Sequence, residues 1–341
     1  MTKEDLEQIL KSLPSRKVAL IGDGCVDIYW EADMRLSELS REVPHYPLPI
    51  VEERFSLGAG ANVAANLAAL GVSDIRFVGC IGEDWRGTLF RSLFEKIRIP
   101  ADYLVSSPER VTPAYCKPIR CGISDVKYED PRLDFNNLAP LSEEMEQRLL
   151  ASLENACQGA DVLIVCDQLQ NGCITPKVME RLAELGRVMP VIADSRDRIG
   201  AFQNAVIKPN ELEACRFLGL DPAAAEDTAA MKEAALALEK RCGRPALITL
   251  GDRGVLWAEG GRTVLVPAYQ VPPPIDFVGA GDAFLAGFSA VYSLGLPPET
   301  ALSFANLVPA VTIRKTGMTG TASPDELREA FAQYEDFCAN Q

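Results

Sequence analysis

The stretch "DFVGAGDAF", residues 276–284, sets three small residues, Gly279, Ala280 and Gly281, directly ahead of a lone carboxylate, Asp282. An apolar helical pattern follows, so the small residues fall at a helix N-terminus, where backbone N–H groups lie open to an anion. An acid in that first turn cannot itself bind an anion. It can take a proton from a nucleophile approaching one. A hydroxyl attacking a phosphoryl group needs both parts: donors for the phosphoryl oxygens and a positioned base. A second reading fits the same residues, in which Asp282 only complements the helix dipole.

Other stretches carry oxygen ligands and bare backbone. "KPNELE", residues 208–213, ends a strand pattern at Asn210 and places Glu213 three residues on, on the same side of the next helical turn. Oxygens so spaced suit Mg²⁺ held through water; the spacing is equally that of a capping box. "TLGDRG", residues 249–254, is a strand end followed by a glycine-bracketed turn. It would let phosphates approach the backbone closely, or serve simply as a tight turn. "LGAGAN" (57–62) is a glycine-rich helix entry, and "GDGCVD" (22–27) ends in Asp27. Neither matches the GxGxxG dinucleotide fingerprint, so a nicotinamide dehydrogenase loses its main support.

The elements that must position these groups alternate regularly. Apolar strand patterns ("KVALIG", "IRFVGCIG", "ADVLIVCD", "PVIADS", "NAVIKPN", "PALITLG") are separated by helical patterns at 61–71, 85–97, 142–157, 175–187, 211–218 and 226–241. This order predicts an α/β fold, a doubly wound and mostly parallel sheet. Segments 28–56 and 112–136 break the alternation. The first reads as loops and short exposed strands, the second as a strand pair, and together they predict a small β-sheet lid. No repeat or low-complexity linker divides the chain, so residues 1–341 read as one domain. Ligands of open α/β sheets sit beyond the carboxyl ends of the strands. The polar residues there are Asp27, Asp167, Asp194, Asn210 and Thr249, with Asp276 and Asp282.

Composition narrows the classes. The net charge of −14 argues against nucleic acid or an anionic membrane as partner. An anionic metabolite would need local positive charge to offset that field. The ten cysteines form no CxxC pair and His45 is the only histidine, which argues against zinc. Most of the cysteines lie in or beside apolar runs and read as buried, reduced thiols of a cytoplasmic protein. The N-terminal segment is charged and helical in pattern, without a signal-peptide core, and no run approaches the ~18 apolar residues of a membrane span.

Taken together, these stretches resemble the ribokinase/PfkB family of sugar kinases over almost the whole chain. "LGAGANVAANLAALG" followed by "VGCIGEDWRG" is similar to the N-terminal signature of that family, and "DFVGAGDAFLAGF" to its C-terminal one. The resemblance implies a ribokinase-like fold and ATP-dependent phosphorylation of a hydroxyl. It assigns Asp282 as base and Gly279, Ala280 and Gly281 as the anion hole. Asn210 and Glu213 correspond to the Mg²⁺–triphosphate motif, with Lys208 adding positive charge beside the ATP phosphates. Thr249, Gly251 and Gly254 correspond to the phosphate and ribose turn, and Asn306 falls near the adenine. Asp27, Gly58 and Asn62 match positions that grip sugar hydroxyls. Asp276, Val278, Thr312, Lys315 and Gly317 correspond to residues that surround a monovalent cation, such as K⁺, in some members.

Two departures stand out: Leu57-Gly58 replaces the usual glycine pair, and Phe277 the common threonine. Within the family, "SREVPHYPLPIVEERF" and "KYEDPRLDF" are most similar to the heptose-7-phosphate kinase branch. The cytidylyltransferase domain often fused to that kinase is not expected in a chain ending at residue 341. A phosphorylated sugar would have to keep its phosphate away from Asp27, towards Arg41, Arg54, Arg120 or Arg132 of the lid segments. An unphosphorylated sugar or a nucleoside as acceptor remains a second reading, and a non-catalytic sugar or nucleotide sensor a third. Paired lids would make a homodimer.

Overall fold

The computed structural model describes residues 1–317 and 319–339. The first eight strands are β1 (Lys17–Gly22), β2 (Gly24–Asp33), β3 (Ile50–Ala59), β4 (Asp74–Gly82), β5 (Leu104–Ser107), β6 (Ala114–Cys121), β7 (Tyr128–Glu129) and β8 (Leu133–Phe135). Six more follow: β9 (Val162–Asp167), β10 (Val191–Ser195), β11 (Val206–Ile207), β12 (Ala246–Thr249), β13 (Val255–Glu259) and β14 (Arg262–Val266).

Apolar runs without alternation demand cover on both faces of a strand, and the main sheet supplies it. Its order is β14-β13-β12-β11-β10-β9-β1-β4-β5. Pairing is parallel from β12 to β5, while β13 and β14 turn back as an antiparallel edge. Successive residues of β1 point to opposite sides. Val18 and Leu20 enter one core with the helices Gly60–Ala69, Ala280–Tyr292 and Pro298–Thr312. Ala19 and Ile21 enter another with Glu143–Cys157, Pro176–Leu185 and Thr228–Cys242. This is the doubly wound arrangement that the alternation predicts.

The small sheet runs β3-β2-β6-β7, with β8 also on β6. It differs from expectation in extent. Segment 28–56 is not short strands but part of two ten-residue strands, paired antiparallel from Gly24↔Ala59 to Ala32↔Ile50. The lid therefore starts at Gly24, four residues earlier than its sequence pattern suggests. The reason lies at Asp23. Its buried carboxylate accepts N–H bonds from Gln168, Leu169 and Cys173 beyond β9, which turns the chain out of the main sheet. Burial pushes that carboxyl up to about 6 against those bonds. Segment 112–136 holds three strands rather than a pair.

Helix boundaries fall close to their sequence patterns; the one expected at 226–241 runs Thr228–Cys242 after a 3₁₀ turn, Pro222–Glu226. Among the described residues nine cysteines are free thiols. Among the described residues no helix is long and apolar enough to cross a membrane.

Candidate active site

A cavity of about 900 Å³ opens where β10, β11 and β12 end, beneath the inner face of the small sheet. The helix Ala280–Tyr292 starts at its wall. Gly279 enters with φ +78°, and a Cβ there would lie 2.8 Å from the Asn62 amide nitrogen, so only glycine fits. That amide donates to Asp282 Oδ2 at 2.8 Å. Its orientation is set from behind, where Asn66 Nδ2 donates to Asn62 Oδ1 at 3.3 Å and to Asn62 O at 2.9 Å. Burial, then the nearby Asp194 and Asp27 charges, push the Asp282 carboxyl up to about 7, while Asn62 and Lys208 pull the other way. A carboxylate so tuned is half-ionised near neutrality and suited to accept a proton.

Of the three residues that the sequence offers as an anion hole, one has its N–H engaged. The Ala280 N–H is committed to Phe277 O at 3.1 Å, which leaves the Gly279, Gly281 and Asp282 N–H groups without an acceptor among the described residues. Gly281 keeps that space open, since a Cβ there would meet nothing nearer than Lys208 Nζ at 3.9 Å.

Lys208 follows β11 and is almost fully buried, its Nζ 3.0 Å from Asp194 Oδ1. Burial works against its charge, but Asp194 and Glu213 outweigh it and hold the ammonium protonated. Asn210 and Glu213 form a reciprocal capping box at 2.8 Å in each direction, and both also line the cavity. The two sequence readings are thus compatible, because a carboxylate oxygen that accepts one N–H keeps lone pairs for a ligand. Burial raises the Glu213 carboxyl, against the Asn210 N–H and Lys208.

Thr249, Gly251, Gly254 and Asn306 line the same cavity. Gly251, at φ +60°, has open space where a side chain would stand, as close phosphate approach requires. Gly254 does not share that role: at φ +101° its Cβ would strike Val266 O at 2.1 Å, so turn packing demands it. Asn306 uses its amide nitrogen to brace Val266 O and Pro267 O.

On the lid side, β2 brings Asp27 into the cavity and β6 brings Tyr115 beside it in register. Gly58 on β3 makes room: a Cβ there would meet Cys25 Sγ at 2.6 Å and the Asp27 carboxylate at 3.2 Å. Lys117 Nζ lies 3.5 Å from Asp27 Oδ2 and 3.1 Å from the Tyr29 hydroxyl. Of the four arginines that the sequence offers, only Arg132 lines the cavity. Arg54 is drawn to Glu31 and Glu52, Arg120 to Asp130, and Arg41 is exposed away from the site.

Sequence reasoning passed over Lys117 and Arg196, both cavity-lining, and gave Asp194 no role. Arg196 follows the end of β10, so the strand-end rule applied one residue further would have found it. Asp167 is withdrawn from the site by Ser195 and Arg198. Away from the cavity's centre, the Asp276 carboxylate accepts N–H bonds from Val278 at 3.0 Å and Gly317 at 2.9 Å. Thr312 Oγ1 bonds Pro309 O, and Lys315 is drawn to Glu326 and Thr321 O.

The cavity wall fits a metal-bound polyphosphate. It carries six carboxylates (Asp27, Asp194, Glu211, Glu213, Asp252, Asp282) against Lys117, Arg132, Arg196 and Lys208, so a bare polyphosphate would meet net repulsion. A divalent cation removes that repulsion. Among the described residues no three His, Cys, Asp or Glu side chains could hold a metal by themselves.

A base near neutrality beside open N–H groups, roofed by a small β lid, is the chemistry of a kinase for small polyhydroxylated acceptors. Residues 26–326 match the pfkB family of carbohydrate kinases, and the chain belongs to that family. Kinases of this family use ATP with a divalent metal. A relative named bifunctional protein HldE, from Gluconobacter oxydans, is 32% identical over 326 residues, 93% of this chain and 64% of the relative. The chain thus spans under two thirds of the length of that relative.

The fold is that of solved sugar kinases. Arabidopsis thaliana ribokinase complexed with ribose and ATP superposes with a TM-score of 0.67 at 20% identity, covering 92% of this chain and 98% of that one. Phosphofructokinase-2 from Escherichia coli in complex with fructose-6-phosphate gives 0.70 at 19% identity, covering 94% and 99%.

Proposed function

We propose that this kinase phosphorylates a hydroxyl of a sugar that already carries a phosphate, heptose 7-phosphate being the first choice, with Asp282 as the general base. The observation that carries the reading is the Asp282 carboxylate, oriented by Asn62 and raised to about 7, next to open N–H groups. Asp27 accepts hydroxyl hydrogen bonds from the sugar and turns the acceptor hydroxyl towards Asp282. Asp282 takes the proton of that hydroxyl as it attacks, and the Gly281 and Asp282 N–H groups steady the oxygens of the transferring group.

Bound ATP with Mg²⁺ supplies the phosphoryl group and neutralises its charge. Asn210 and Glu213 would hold the metal through water, Lys208 would face the phosphates, Thr249 and Gly251 would take the phosphate and ribose turn, and Asn306 would flank the adenine. Asp276, Val278, Thr312, Lys315 and Gly317 are the proposed surroundings of a monovalent cation. A cytoplasmic homodimer joined through the lids completes the reading. The lid segments support the heptose-phosphate choice, because their sequence is most similar to that branch.

An ATP-consumption screen across sugars, sugar phosphates and nucleosides tests it. The expected result is the highest kcat/KM with a sugar phosphate. Better turnover of free sugars or nucleosides would shift the acceptor class, and no transfer to any acceptor would leave a non-catalytic sensor.

A further inference from the structure

Four cations line the cavity, and three are already balanced. Lys208 is paired with Asp194 at 3.0 Å, Lys117 with Asp27 at 3.5 Å, and Arg132 with Asp134 at 2.6 Å. Arg196 is the exception. Its guanidinium makes no ion pair or hydrogen bond with any described residue. Arg196 is thus an exposed cation on the cavity wall, free to take an anionic ligand in a chain of net charge −14.

Its base is rigid. Ser195 is fully buried, and its hydroxyl donates to Asp167 while accepting the Arg198 N–H. The Arg196 N–H itself donates to Asp167 O at 3.1 Å, so the backbone that carries the side chain is pinned at both ends of the turn. Tyr115 lines the same cavity; its hydroxyl bonds no described residue and its ring is covered by the Arg132 guanidinium at 4.3 Å. Arg196 and Arg132 both act on that phenol: burial raises it to about 12 against their pull. Tyr115 is also the register partner of Asp27, the residue proposed to take the sugar hydroxyls.

We infer that Arg196, with the Tyr115 hydroxyl and Arg132, binds the phosphate that the acceptor sugar already carries. Specificity for a phosphosugar then rests on a main-sheet loop as much as on the lid. A guanidinium is suited to this work, since its planar fork meets two phosphate oxygens at once, and Lys117 shields the approaching dianion from Asp27. The inference rests on the kinase reading and refines its acceptor.

The test uses the whole chain and three matched pairs as probes: ribose and ribose 5-phosphate, fructose and fructose 6-phosphate, sedoheptulose and sedoheptulose 7-phosphate. Arg196→Gln should raise KM for the best phosphorylated acceptor by about 10–100-fold, with kcat within about threefold and KM for its unphosphorylated partner unchanged. Arg196→Lys should recover part of the loss, because charge returns without the fork. Calorimetric titration of the same phosphosugar without nucleotide should show the same order of affinities, which keeps binding separate from turnover. Equal effects on both members of a pair, or none on either, would overturn the inference while the kinase reading stands. A wild-type protein that consumes ATP with no acceptor fails the kinase reading instead, and the calorimetric order of wild type, Lys and Gln still decides the phosphate subsite.

Discussion

Asp282 combines two properties that pull in opposite directions for the protein as a whole. Its carboxyl titrates near 7 because burial, and then Asp194 and Asp27, resist its ionisation. In the proposed role as general base this is useful, since such a group must be ionised in the free enzyme. We expect kcat/KM to rise with pH through about 7 and then level off. Asp282→Asn should lower turnover by roughly 10²–10⁴ and abolish that rise, while nucleotide binding persists. A variant with near-wild-type kcat would remove Asp282 from the base role.

Stability should move the other way. The folded-state pKa lies above the unfolded value, so between about pH 4 and 7 the folded chain holds a proton that the unfolded chain has lost. Stability therefore falls as pH rises through that window and is lowest above it. Asp282→Asn should melt higher than wild type at pH 8, by a difference on the order of a few kcal/mol at most, and the two should converge near pH 4. Paired melting curves at the two pH values check the sign.

At the scale of elements, two local devices make the cavity. One is the approach of β3 to β2 at Gly58, which leaves Asp27 uncovered. Gly58→Ala would press a methyl against Cys25 Sγ and the Asp27 carboxylate. We expect KM for the sugar to rise about tenfold or more with a smaller change in kcat. Adding Cys25→Ala should restore much of the loss by returning space; steady-state kinetics of the single and double variants measures that coupling.

The second device is the capping box at the helix Glu211–Leu218. Glu213→Gln keeps both hydrogen bonds of the box, so stability should change by less than about 0.5 kcal/mol. The Mg²⁺ concentration needed for half-maximal activity should nevertheless rise several-fold, because the carboxylate charge is gone. An unchanged metal titration would reduce Glu213 to a cap.

For the whole molecule, the lid leaves an edge to account for. β3 is ten residues long and lies at the rim of its sheet, with Ile50, Val51 and Phe55 exposed at 42%, 55% and 37%. Long apolar edges invite pairing unless something covers them. We expect sedimentation to show a dimer at micromolar concentration, and Val51→Lys to shift it to monomer with a raised KM for the sugar. A wild-type protein that sediments as a fully active monomer would leave the lid without a partner of its own kind.

What the sequence determined by itself was whatever is local. The Gly-Ala-Gly entry to the helix at 280, the Asn210–Glu213 spacing and the glycine turn at 251 are set within a few residues, so their local geometry could be read from spacing. Strand and helix order came from apolar periodicity for the same reason, and with it the doubly wound sheet. Tertiary structure decided what depends on distant partners. Only long-range pairing commits Arg54 to Glu31, ties Asp167 to Arg198 across 31 positions, and leaves Arg196 facing the cavity unpaired. A charged side chain is equally at home in solvent, in an ion pair or on a binding wall, and its own sequence context does not distinguish the three. Which one it occupies is fixed by the carboxylates that the fold brings near, and by those it keeps away.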